Sequence, residues 1–133
     1  MAITYKIEPD LSAQEFRDVL IASTLGERRP VNDPERLEKM LRHADIIVVA
    51  RDGGQIVGVS RAITDYAYCC YLSDLAVDTR YQKQGIGKRL MEETYAAAGS
   101  ETTMALIPAP KAVEYYEKIG MKSFKCFGIS RTK

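Results

Sequence analysis

The 133 residues make room for one compact domain, expected to span residues 1 to 133. Nineteen Lys and Arg against 18 Asp and Glu leave a formal charge of +1, which argues against bulk electrostatic binding of nucleic acid or an anionic membrane. The 46% hydrophobic and 28% charged fractions argue against global disorder, and no apolar run reaches the roughly 18 residues of a bilayer span. The opening Met1 to Glu8 lacks a basic region followed by an apolar stretch, so no secretion signal is visible and a cytoplasmic location is expected. Cys69, Cys70 and Cys126 have no metal-ligand spacing and read as reduced thiols.

Residues 3 to 8 alternate as an opening strand. Ser12-Ala13-Gln14-Glu15 reads as a capping box, with Phe16, Val19, Leu20 and Ser23 following on one helical face. Asp33-Pro34 starts a second helix carrying Leu37, Met40 and Leu41. The β-branched run Ile46 to Ala50, the turn Asp52-Gly53-Gly54 and residues 56 to 63 predict a hairpin. Residues 66 to 77 read as a third strand, partly aromatic. A helix over 85–98, a short strand over 103–107, a helix over 111–119 closed by Gly120, and a final strand over 124–129 complete the order. The fold class is therefore α/β or α+β, a mixed, largely antiparallel sheet flanked by helices.

The most informative stretch runs from Leu75 to Leu90, a strand, a tight loop with two glycines, and the first turn of a helix. Unpaired N–H groups and the positive end of the macrodipole at such a helix start suit an anion, and glycines let it approach the backbone. Four basic residues and no acidic one lie between Arg80 and Arg89, consistent with a polyanionic ligand. The loop is not a Walker motif, because Arg89 follows Lys88 and position 82 is Gln. Nor is it a dinucleotide fingerprint, because Leu90 stands where a third glycine belongs.

Gln82, Gly85 and Gly87 resemble the Arg/Gln-x-x-Gly-x-Gly/Ala signature of the GNAT superfamily of N-acetyltransferases. Downstream, Ala112 to Met121 is similar to that family's Ala-x-x-Phe-Tyr-Glu-Lys-x-Gly-Phe segment. The resemblance implies acetyl-CoA as co-substrate, with the backbone of Gln82, Lys83, Gln84, Gly85, Ile86, Gly87 and Lys88 on its pyrophosphate. It further implies that backbone groups of Leu75 and Val77 pair with the pantetheine arm, and that Tyr116 contacts the CoA sulfur. Two departures stand out: Thr79 replaces a frequent Pro, and Ala109 replaces a frequent Asn or Asp that helps hold the cofactor.

Acetyl transfer to an amine requires a neutral nucleophile, a polarised thioester and accommodation of the thiolate. A phenol with pKa about 10 is a weaker acid than a thiol near 8.5, so Tyr116 is expected to stabilise the thiolate more by hydrogen bonding than by full proton transfer. Asp74 is a candidate base or amine-binding group, and Asp78 on the same strand face a support for the turn. His43 reads as a helix-end residue, Tyr66, Tyr68 and Tyr71 as strand packing or acceptor-pocket lining, and residues 26 to 30 as an acceptor lip. No metal is called for. The expected function is direct acetyl transfer from acetyl-CoA to a primary amine, on a small molecule or a peptide, with a homodimer by resemblance. The alternatives are a non-catalytic CoA-binding regulatory module and, less in keeping with the charge, an interaction or nucleic-acid module.

Overall fold

The computed structural model describes residues 2–133. Its sheet orders five strands by sequence: β1 (Ile3–Ile7), β2 (Ile46–Asp52), β3 (Gln55–Thr64), β4 (Cys69–Val77) and β5 (Thr103–Ala105). The first four are antiparallel neighbours, while β5 runs parallel to β4. A parallel neighbour needs a crossover, and α3 (Ile86–Ala98) supplies it. Helices α1 (Ala13–Ala22) and α2 (Pro34–Arg42) precede β2, and a short α4 (Val113–Lys118) follows a 3₁₀ turn at Pro110–Ala112.

Two cores lie on opposite faces of the sheet. Phe16, Val19 and Leu20 of α1 and Leu37 and Leu41 of α2 bury against Ile47, Val49, Val59 and Ala76. On the other face Ile86, Leu90, Met91 and Ala98 of α3 bury against Val48, Ala50, Val57 and Leu72. The strands are covered on both faces, which is why β2 reads as a continuous apolar run and not an alternating one. Gly58 lets α3 approach closely: a Cβ there would lie 3.0 Å from Leu90 Cδ1 and 3.3 Å from the Ala76 carbonyl.

The helix starts follow the sequence signals. Ser12 Oγ accepts from Glu15 N–H at 3.1 Å, and Asp33 caps Arg36 N–H at 3.1 Å. The reciprocal half of the capping box is absent, because the Glu15 carboxylate turns to Arg51. Arg51 also takes Glu8 through two hydrogen bonds of 2.9 and 2.8 Å, so one guanidinium ties the end of β1, α1 and β2 together.

Three expectations are corrected. The third strand begins at Cys69, because Asp65 Oδ1 accepts from the N–H groups of Ala67, Tyr68 and Cys69 and folds residues 65 to 68 into a turn. Tyr66, at φ 62, and Tyr68 and Tyr71 are exposed, so none of the three is strand packing. Residues 121 to 133 form no strand: among the described residues no backbone hydrogen bond reaches 122 to 133, and Phe124, Phe127 and Ile129 stand in solvent.

Candidate functional site

The Gly-rich loop is held from several sides. Asp78 N–H donates to the Val57 carbonyl at 2.8 Å, and the Asp78 carboxylate accepts from the Arg80 backbone N–H and guanidinium. These donors hold the Asp78 carboxyl below its ordinary range, the Arg80 side chain contributing most. Tyr81 Oη donates to Asp52 at 2.7 Å, anchoring the loop to the β2–β3 hairpin. Lys83, at φ 64, and Gly85, at φ 83, turn the chain into α3.

Gly85 is the N-cap of α3 and supplies no capping side chain. The N–H groups of Ile86, Gly87 and Lys88 precede the first intrahelical bond, from Arg89 N–H to Gly85 O at 3.0 Å. A Cβ on Gly87 would meet only Val77 Cγ2, at an ordinary 3.7 Å, and one on Gly85 would meet nothing. Protein packing therefore does not demand glycine at 87. Glycine there leaves the backbone of the helix terminus open to close approach.

Beside this terminus the sheet opens. Strands β4 and β5 pair only through Cys69, Cys70 and Tyr71, while β4 runs on to Val77. The opening begins where β3–β4 register shifts, Arg61 facing Asp74 while Ala62 faces Leu72, with Ser73 as the extra residue. A bulge bends its strand. It also exchanges faces: Cys70 and Leu72 join the α3-side core, whereas Ala76 joins the α1–α2 core.

Backbone direction follows from the loop contacts. Asp78 N–H points to β3, so by alternation the N–H groups of Leu75 and Val77 point toward the open edge. One expected group is taken, since Gln82 Nε2 donates to the Val77 carbonyl at 3.1 Å. The open edge therefore offers the N–H and carbonyl of Leu75 and the N–H of Val77.

Tyr116 lies on α4, half-buried against the α3-side core, edge-on to Tyr115 with ring centroids 5.3 Å apart. Burial pushes its phenol above the ordinary 10.0, with Tyr115 adding to the effect. Asp74 is 1% exposed, and its two carboxylate oxygens accept from Nε of Arg29 and Nε of Arg61. Arg29 also donates to the Ser73 carbonyl at 2.8 Å, and Arg61 to Ser73 Oγ at 2.9 Å. The expected base or amine-binding group is thus a carboxylate enclosed by two guanidinium groups, those of Arg61 and Arg29, whose side chains are 7% and 21% exposed. Asp78 faces the α1 side, paired with Arg80 as the turn-supporting reading requires.

Sequence reasoning missed Arg61, although a charged residue inside the run Val57 to Ile63 is itself a sign of a buried ion pair. Arg29 falls within the expected acceptor lip. His43 is the C-cap of α2. Ala109 begins the 3₁₀ turn with backbone alone, its carbonyl accepting from Ala112 N–H at 2.8 Å. Among the described residues no cluster of His, Cys, Asp and Glu has metal-binding geometry, and no helix is long and apolar enough to cross a membrane.

A mixed sheet opened beside a glycine-led helix terminus sets an unpaired strand edge next to a helix start whose free N–H groups suit an anion. Comparison with known proteins gives the class. The acetyltransferase (GNAT) family model matches residues 13–121, and the chain belongs to that family. It is 28% identical to a GNAT family acetyltransferase of Streptococcus pneumoniae, with a TM-score of 0.77 over 99% of this chain and 98% of that one. An aminoglycoside N-acetyltransferase solved with CoA shares the fold at a TM-score of 0.73, 15% identity and coverage of 99% and 95%. Among curated proteins, GCN5-related N-acetyltransferase 2, chloroplastic, of Arabidopsis thaliana is 30% identical over 71 residues, covering 52% of this chain and 28% of that protein. The chain thus spans well under half the length of that plant relative.

Proposed function

We propose that this protein is an acetyl-CoA-dependent N-acetyltransferase acting on a primary amine of a small molecule or peptide by direct attack. The observation that carries the reading is the uncapped α3 terminus next to the open edge of β4, in a chain of the GNAT family. Backbone groups of residues 82 to 88 receive the pyrophosphate, with Lys83 and Lys88 adding charge. Leu75 and the Val77 N–H hold the pantetheine arm as an added strand.

Acetyl-CoA supplies an activated acyl group on a good leaving thiolate. In this reading that group lies between β4 and α4. The amine nitrogen attacks the carbonyl carbon, a C–N bond replaces the C–S bond, and the amine proton passes to solvent. Tyr116, kept protonated by its raised pKa, donates a hydrogen bond to the departing sulfur. Asp74 acts as a positioning residue, fixing Arg29 and Arg61 beneath the acceptor side of β4.

Calorimetric titration with acetyl-CoA tests the cofactor site, with Gly85→Glu/Gly87→Glu as control. Saturable binding lost in the double variant is expected, because two carboxylates would occupy the anion's place. Absence of binding to the native chain overturns the reading. A homodimer belongs to the same proposal. The partner is a second copy of this chain, whose sheet edge receives residues 124 to 129, where Phe124, Phe127 and Ile129 stand exposed.

A further inference from the structure

The segment between α1 and α2 is strained and tied down. Thr24 sits at φ 73, a left-handed conformation that a β-branched residue rarely adopts, and leads into a 3₁₀ turn at Leu25–Arg28. Gly26 seats this turn on the end of α1: a Cβ there would lie 3.2 Å from the backbone N and Cα of Ile21. Arg17 Nε holds the far side of the segment through the Val31 carbonyl at 2.9 Å. Strain of this kind persists where surrounding contacts impose it. Here they direct Arg29, the residue after the turn, across to β4.

All three nitrogens of the Arg29 guanidinium make protein contacts. Nε donates to Asp74, Nη2 to the Ser73 carbonyl at 2.8 Å, and Nη1 to the Arg28 carbonyl at 2.9 Å. The fork of Nε and Nη2 thus grips two consecutive residues, and Ser73 is the extra residue of the β4 bulge. Such a residue drops out of the strand ladder, so its polar groups need other partners. Arg29 takes the Ser73 carbonyl, and Arg61 takes the hydroxyl. The two arginines are not equivalent. Arg61 is 6% exposed and lies opposite Asp74 on β3, so it neutralises that carboxylate from within the sheet. Arg29 comes from outside the sheet, and without it Asp74 still keeps a counter-charge. What Arg29 adds is the shape of the strand.

That shape matters because of where it is set. Pairing between β4 and β5 ends at Tyr71, the bulge follows at Ser73, and Leu75 then turns its N–H to the open edge. We propose that Arg29 is a positioning residue for acetyl transfer. Its fork fixes the bulge from the acceptor side, and so sets where Leu75 and Val77 present the acetyl group to an incoming amine. One side chain then places both the expected acceptor lip, residues 26 to 30, and the strand edge that holds the thioester. The chemical consequence rests on the acetyltransfer reading; the setting of the strand edge does not.

The test uses Arg29→Ala and Arg29→Lys in the full chain and has two arms. Both variants are expected to fold with native circular dichroism, because Arg61 still neutralises Asp74. Variants that fail to fold would make Arg29 a stability residue and overturn the proposal. First, backbone amide resonances are followed by NMR without ligand. Those of Ser73, Leu75 and Val77 are expected to shift or broaden in both variants, because one ammonium cannot replace the fork, while those of Ile86 to Lys88 stay in place. Unmoved Leu75 and Val77 resonances overturn the setting of the edge, whether or not the protein is an acetyltransferase. Second, acetyl-CoA binding is measured by calorimetry beside steady-state transfer to ethanolamine, benzylamine, spermidine and a peptide with a free N-terminal alanine. In both variants kcat is expected to fall by about 10²-fold, the cost of a misplacement near 1 Å. The acetyl-CoA dissociation constant should change far less, since the pyrophosphate is held at α3. Native kcat in Arg29→Lys, or a loss confined to acetyl-CoA affinity, overturns the positioning role. Shifted edge resonances with no transfer to any amine by the native chain support the setting of the edge and remove the acetyltransfer reading alone.

Discussion

Tyr116 and Asp74 show how differently two residues fare when only their types and spacing are known. Tyr116 was legible through its place in the segment Ala112 to Met121, and the fold sets it on α4 against the core that flanks the open edge. Its pKa, raised above the ordinary 10.0 chiefly by burial, keeps it a donor throughout the neutral range. Tyr116→Phe is expected to lower kcat by about 10²-fold, the lower end of general acid contributions, while acetyl-CoA affinity stays nearly unchanged. Calorimetry beside steady-state kinetics checks both halves, and equal losses of affinity and turnover would make Tyr116 a packing residue. Asp74 has the right type for a base, but the two arginines that close it come from an earlier loop and a neighbouring strand, which strand periodicity cannot show. Asp74→Asn should therefore cost about 3 kcal/mol of stability, because it leaves the buried Arg61 and the half-buried Arg29 without a counter-charge. Chemical denaturation reads this directly. A variant as stable as the native chain would show that solvent already screens the pair.

At the scale of elements, the helices and the β2–β3 hairpin were legible because caps, proline at a helix start and a Gly-Gly turn act over four or five residues. The bulge at Ser73 was not, since a register shift depends on which strand lies opposite. The same dependence hides the Arg51 clip, whose partners Glu8 and Glu15 are 43 and 36 residues distant in sequence. Arg51 holds the Glu15 carboxyl below its ordinary 4.5, chiefly by hydrogen bonding, as Arg80 holds Asp78 below 3.8. A depressed carboxyl pKa stabilises the fold fully above the unfolded value, and that stabilisation is lost as pH falls through the folded one. Thermal stability is thus expected to be level near neutrality and to fall on acidification below about 4.5, the ordinary glutamate value. Arg51→Gln should lower stability at neutral pH and flatten this acid slope. Melting temperatures across a pH series compare the two chains, and parallel curves would show that the clip contributes nothing.

For the whole molecule, the one large disagreement between sequence and structure falls at residues 124 to 129. The segment Phe124-Lys125-Cys126-Phe127-Gly128-Ile129 reads as a strand because its aromatic and β-branched residues are of the kinds enriched in strands. A strand, however, is a property of two segments, and among the described residues none pairs with this one. Phe127 is 92% exposed, and burying such a ring is worth about 1.5 to 3 kcal/mol, so a segment with three exposed apolar side chains gains considerably from a second surface. The sheet offers one, because β5 is only three residues long and bonds through one edge to β4. Reciprocal pairing in a two-fold dimer would use both features twice and leave neither tail exposed. Light scattering should accordingly find a dimer for the full chain and a monomer for a chain ending at Met121 that keeps its helical circular dichroism. A full chain that stays monomeric as concentration rises, or a truncated chain that still dimerises, would remove these residues from the interface.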